Sequence, residues 1–154
     1  MAEQLKEVIK SEYIKCAQDP VYFLKKYCMI QHPIKCKIPF TLYPFQEETV
    51  NDFKDNRFNI ILKARQLGIS TLTAGYSLWQ MTFFQDKNIL VIATKQDTAK
   101  NLVTKVRVMH ANLPSWLKQR CVEDNKLNLR YMNGSQIKAV SSGPEAARSE
   151  ALSL

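Results

Sequence analysis

The sequence is poor in chain breakers and has no membrane-length apolar run. Only 4 of its 154 residues are glycine and 6 are proline, which excludes collagen-like and low-complexity chains. Four cysteines, Cys16, Cys28, Cys36 and Cys121, form no C-x-x-C pair, and His32, near two of them, does not complete a zinc-ligand set. Reduced thiols in an intracellular compartment are the expectation. The longest uncharged run, Gln66 to Gln85, carries Gln, Ser, Thr and Gly throughout. A membrane span needs about 20 predominantly apolar residues, so this run reads as a buried helix. The N-terminus is charged from Glu3 onward with no apolar stretch behind it, and so lacks the pattern of a secretory signal.

Apolar residues make up 45% of the chain and aromatics 10%, enough to fill a core and exclude wholesale disorder. Lys plus Arg number 22 against 14 Asp plus Glu, a net charge of +8. Such a surplus favours a polyanionic partner but says nothing of fold. The basic side chains of Lys25, Lys26, Lys35, Lys37, Lys100, Arg107, Lys118 and Arg120 are dispersed along the chain, and that spread is the usual pattern of a solvated surface.

Periodicity predicts an amphipathic helix over residues 3–17, with Leu5, Val8 and Ile9 on one face. Asp19 and Pro20 supply a cap and a first turn for a second helix whose buried side is Val21 to Leu24. His32 to Pro39 reads as turn-like and basic, and Pro44-Phe45-Gln46 opens a helix to about Lys54. Phe58 to Leu62 is a short β-prone run, followed by a polar loop and an uncharged helix from Ser70 to Phe84. Asn88 to Ala93 reads as a buried strand of a parallel sheet covered on both faces. A helix over 97–111 follows, with Leu102, Val106 and Met109 inward. Leu127–Met132 and Gln136–Val140 flank Asn133-Gly134, a hairpin signal. The succession predicts α/β layering.

Between the first β-prone run and the first long helix lie Lys63, Ala64, Arg65, Gln66, Leu67, Gly68, Ile69, Ser70 and Thr71. A phosphate-cradling loop needs backbone N–H groups around a hollow, a helix N-terminus beneath them and a hydroxyl for magnesium. Gly68 permits the tight backbone, and Ser70 stands where G-x-x-x-x-G-K-[ST] demands a hydroxyl. Two positions depart from that pattern: Lys63 replaces the first glycine and Ile69 the lysine. Lys63 leaves the strand end at the loop mouth, from which its stem could carry the ammonium to the phosphates. Arg65 offers a planar fork for bidentate phosphate contact. The plainer alternative is an ordinary strand-to-helix connection with two surface cations.

The run Lys63 to Ser70, with its Arg-Gln-Leu-Gly core, resembles the variant Walker A motif of the large terminase subunit of tailed double-stranded-DNA bacteriophages, a DNA-packaging ATPase and nuclease. Leu42-Tyr43-Pro44-Phe45-Gln46 resembles that family's adenine-recognising glutamine motif, and a primary amide can read an adenine edge. Cys16 to Phe23 looks like the family's lead-in helices, and the likeness runs from about residue 13 to the end. It implies a P-loop NTPase (ASCE/RecA-like) fold with a parallel-sheet core. Residues 1–41 would be a helical lead-in and 42–154 the N-terminal part of the ATPase domain, stopping before the acidic strand, with the nuclease domain absent.

The resemblance further implies binding of ATP and Mg2+ by Gln46 and by Lys63 through Thr71, with Ser70 toward the metal. Arg65 would stabilise charge on the transferring phosphoryl group, and Arg148 would act on a neighbouring subunit's nucleotide. An arginine so placed is worth ~10³–10⁵ in rate. The implied partners are double-stranded DNA gripped without sequence preference, a portal protein, a small terminase subunit and further copies in a ring, in the host cytoplasm and without a membrane.

Hydrolysis in this class also needs an apolar strand ending in paired acids. Glu123-Asp124 follows Lys118 to Val122, which is no apolar run, and Glu145 and Glu150 lie in loop-like sequence. Ala151 to Leu154 reads as the start of such a strand. The chain alone is therefore expected to bind nucleotide weakly and not to turn it over. Two other readings stand beside this one. A helicase-like P-loop ATPase is disfavoured because such loops keep G-K-[ST], and a non-catalytic basic module would bind nucleic acid or a partner.

Overall fold

Asp19 ends one helix and starts the next. The computed structural model describes residues 2–32, 34 and 36–143. Helix α1 spans Ala2–Gln18 and α2 spans Pro20–Tyr27; the Asp19 carboxylate accepts the Tyr22 N–H at 3.0 Å and Pro20 lies in the first turn. A short polar cap and a fixed φ make that boundary. Glu12 of α1 binds α2 from the side. Its Oε1 accepts from the Tyr22 hydroxyl at 2.5 Å, the Lys26 ammonium at 2.6 Å and the Tyr27 hydroxyl at 2.8 Å. Lys26 first, and the two phenols after it, hold the Glu12 carboxyl down at about 2.

The turn-like reading of 32–39 needs correction. Strands β1 (Met29–His32) and β2 (Cys36–Pro39) pair antiparallel, Met29 opposite Pro39 and His32 opposite Cys36. Helix α3 (Pro44–Asp55) forms as expected. The next segment does not: Phe58–Leu62 joins no described strand, with Phe58 82% and Ile60 and Leu62 fully exposed. Its composition suits a strand, but β-propensity is expressed only against a neighbour and a covered face.

Beyond the loop come α4 (Ile69–Phe83), β3 (Asn88–Ala93), α5 (Gln96–Ala111), β4 (Cys121–Asp124), β5 (Asn128–Tyr131) and β6 (Gln136–Ser141). The sheet order is β3-β6-β5-β4. β3 and β6 run parallel with Ile89 opposite Ile137, whereas β5 pairs antiparallel with both β6 and β4. The sheet is thus mixed, not the parallel core expected, because the turn at Asn133-Gly134 folds β5 straight back onto β6. Among the described residues β3 is an edge strand, and Ile92, on one of its faces, is half exposed, so the expectation of two covered faces also fails.

The core joins the N-terminal helices to the sheet layer. Phe23 and Leu24 from α2, Leu72, Leu78 and Met81 from α4, Val103 and Val106 from α5, and Leu129 and Ile137 from the sheet are all buried within it. Helix α4 runs through the middle. Trp79 Nε1 donates to the Cys16 carbonyl at 2.8 Å, tying α4 to α1. Gly75 lets α2 close in, since a Cβ there would lie 2.5 Å from Leu24 Cδ2.

The far end of α4 is closed by side chains from distant sequence. Asn133 Nδ2 donates to the carbonyls of Met81 (2.8 Å) and Phe84 (3.1 Å), and Ser135 Oγ donates to Phe84 O at 2.9 Å. Gln119 Nε2 donates to Thr82 O at 3.0 Å. The last carbonyls of a helix lack intrahelical partners, and here the hairpin turn and the chain before β4 supply them. Among the described residues, no helix is long and apolar enough to cross a membrane.

Candidate functional site

The start of α4 is set by one glycine. Gly68 sits at the N-cap with φ +72 and ψ 4, a left-handed conformation that suits glycine. Its carbonyl accepts the N–H groups of Thr71 and Leu72, both at 2.9 Å. The N–H groups of Ile69 and Ser70 then have no acceptor within the helix. No acidic side chain occupies the first turn, so the positive end of the helix dipole is not neutralised from within.

Residues 61–67 leading into this end are all exposed. Gln66 also takes a positive φ, +65, which is uncommon for a side chain other than glycine. Lys63 Nζ donates to the Ala64 carbonyl at 3.2 Å, at the mouth of the loop. Among the described residues no carboxylate pairs with Lys63 or Arg65. Ser70 is exposed on the first turn, Ile69 is buried beneath it, and Thr71 is half-buried. The loop therefore presents two cations and a hydroxyl beside a run of free N–H donors.

Gln46 is in contact with this loop. Its Oε1 accepts the Tyr43 N–H at 3.1 Å, and its Nε2 donates to the Leu67 carbonyl at 3.0 Å. The residue is 3% exposed, so an adenine edge would reach the amide only if it left the loop. Arg148 lies outside the described residues, as do Glu145, Glu150 and all of Ala151–Leu154.

One cation at this end has no sequence signal. Lys105, on α5, donates from Nζ to Thr71 Oγ1 at 3.1 Å, 34 residues away along the chain. Beside it, a cleft of about 70 Å³ is lined by Met29, Ile30, Thr104 and Val108 among others. That is room for a few waters and not for a nucleotide. No group of three or more His, Cys, Asp or Glu side chains able to hold a metal occurs among the described residues. Ser70 carries the exposed hydroxyl of the loop, whereas that of Thr71 accepts from Lys105; magnesium ions usually reach a protein through substrate phosphates and their own waters. The exposed cations, the Ser70 hydroxyl and the N–H groups at the start of α4 are the donor set that an anionic phosphate group would need, and a magnesium ion would have to come with it.

The chain thus combines mixed α/β layering with a glycine-opened helix behind a cationic loop. No protein-family model matches the sequence. In fold it is similar to the crystal structure of the HK97 bacteriophage large terminase, with a TM-score of 0.64 and 22% sequence identity. The match covers 81% of this chain and 27% of that one, so the chain spans about a quarter of the length of the terminase. At that identity the likeness is one of fold.

Proposed function

We propose that this chain is the nucleotide-binding front of a terminase-like DNA-packaging motor, holding the phosphates of ATP in the 63–71 loop. The observation that carries the reading is the exposed loop, bearing Lys63 and Arg65, that runs directly into the acid-free N-terminus of α4. Backbone N–H groups at Gly68, Ile69 and Ser70 would surround the terminal phosphates, with Ser70 toward Mg2+. Lys63 would serve in place of the lysine that Ile69 displaces, and Arg65 would bind phosphate oxygens through two parallel hydrogen bonds. When bound, ATP supplies a phosphoanhydride whose cleavage releases energy for movement. The fold likeness to a large terminase supports the packaging context. Double-stranded DNA held without sequence preference, portal protein, small subunit and a ring of copies are the partners proposed with it.

Calorimetric titration of the chain with MgATP tests the reading, alongside a phosphate-release assay. Binding is expected in the unaltered chain, with no turnover. Lys63→Ala should weaken binding about tenfold, the effect of losing one charge-assisted hydrogen bond of about 1.5 kcal/mol, and Arg65→Ala, which removes two, about a hundredfold. Unchanged affinity in both variants would remove the loop assignment, and magnesium-dependent phosphate release lost on Lys63→Ala would show the chain to be a complete ATPase.

A further inference from the structure

The geometry assigns Gln46 a positioning role: it clamps the phosphate loop and orients the Gly68 N–H, and it does not read the base. This rests on the phosphate-loop reading above. Gln46 is the third residue of α3, and the Tyr43 N–H held by its Oε1 at 3.1 Å fixes which way the amide faces. Only one assignment of its oxygen and nitrogen satisfies both neighbours, since Tyr43 offers a donor and Leu67 an acceptor. The NH2 end is thereby aimed across 21 residues of sequence at the Leu67 carbonyl, 3.0 Å away.

The peptide joining Leu67 to Gly68 is planar and trans, so its C=O and N–H point in opposite directions. Holding the Leu67 carbonyl against α3 turns the Gly68 N–H away from α3, toward the open side of the loop. The Gly68 position is built for the same contact. A Cβ there would lie 2.7 Å from Gln46 Nε2, on a backbone with φ +72. Glycine therefore serves twice, once for the turn and once to admit the amide. With Gln46 only 3% exposed, the clamp is shielded from competing water. Its ligand class is the polyphosphate anion, whatever base is attached.

Titration of the chain with MgATP, MgGTP and magnesium tripolyphosphate separates the roles. Gln46→Glu keeps an acceptor for Tyr43 but offers no donor to Leu67, and Gln46→Ala removes both contacts. Both variants are expected to weaken all three probes by the same factor, about fivefold to tenfold. A loss confined to MgATP, with tripolyphosphate unaffected, would overturn the clamp in favour of base reading. A second measurement needs no variant. The side-chain amide signal of Gln46 in the unaltered chain should respond alike to MgATP and to tripolyphosphate, and a response to MgATP alone overturns the proposal. If the unaltered chain binds none of the three probes, the phosphate-loop reading fails, and the clamp with it.

Discussion

At Glu12 a single oxygen accepts three donors, and what it does for stability depends on its charge. The carboxyl titrates at about 2 in the folded chain against an ordinary 4.5, so its contribution is fully present above about 4.5 and fades as pH falls towards 2. Glu12→Gln should lower the thermal midpoint at pH 7, and the gap to the unaltered chain should close between pH 4.5 and pH 2. A gap independent of pH would mean that shape, not charge, holds α1 to α2. Residues of this kind differ in how far sequence reveals them. Asp19 and Pro20 are legible because a cap acts on its immediate neighbours. Gln46 could be picked out but not its partner, since its contact to Leu67 depends on two elements meeting. Lys105 gives no signal at all before α5 is laid against α4.

Secondary elements were legible where their causes are local. The five helices among the described residues follow from apolar periodicity, Asp19, Pro20 and Pro44, and Asn133-Gly134 marks the β5–β6 hairpin. The β1–β2 hairpin was missed because four-residue strands with mixed side chains carry little pattern, and pairing, not composition, makes them. Phe58–Leu62 erred the other way: a strand composition with no described strand beside it. Helix α4 shows why an element's ends matter as much as its faces. Asn133→Ala deletes three side-chain hydrogen bonds, to the Met81 and Phe84 carbonyls and from the Ser135 N–H, and should cost about 1.5–4.5 kcal/mol in urea denaturation, at roughly 0.5–1.5 kcal/mol per bond. A loss well below that would indicate that Ser135 and Gln119 close the helix end without it.

Over the whole molecule, the sequence pointed to α/β layering but could not give strand order. The mixed sheet follows from the direct return of β5 onto β6; among the described residues β3 is its edge, and Ile92 on one face of β3 is half exposed. Among the described residues, the largest departure from a sealed surface is Phe58, Ile60 and Leu62, three apolar side chains that are highly exposed. Exposed apolar stretches of this kind promote association. Replacing Ile60 and Leu62 with Ser should leave unfolding free energy within about 0.5 kcal/mol, the usual range for surface changes. Sedimentation at high concentration should show less self-association than the unaltered chain. A marked loss of stability would mean that these residues are covered in solution.

Helix α4 can also be regarded as a strut. Its 15 residues make a rod about 22 Å long at 1.5 Å per residue. The Gln46 amide braces the loop at one end, and the Asn133 amide pins the other to the β5–β6 turn. Such a rod has no loose end in which to lose motion. A push on the loop would travel along its axis to the hairpin, and a pull on the hairpin would be felt at Gly68.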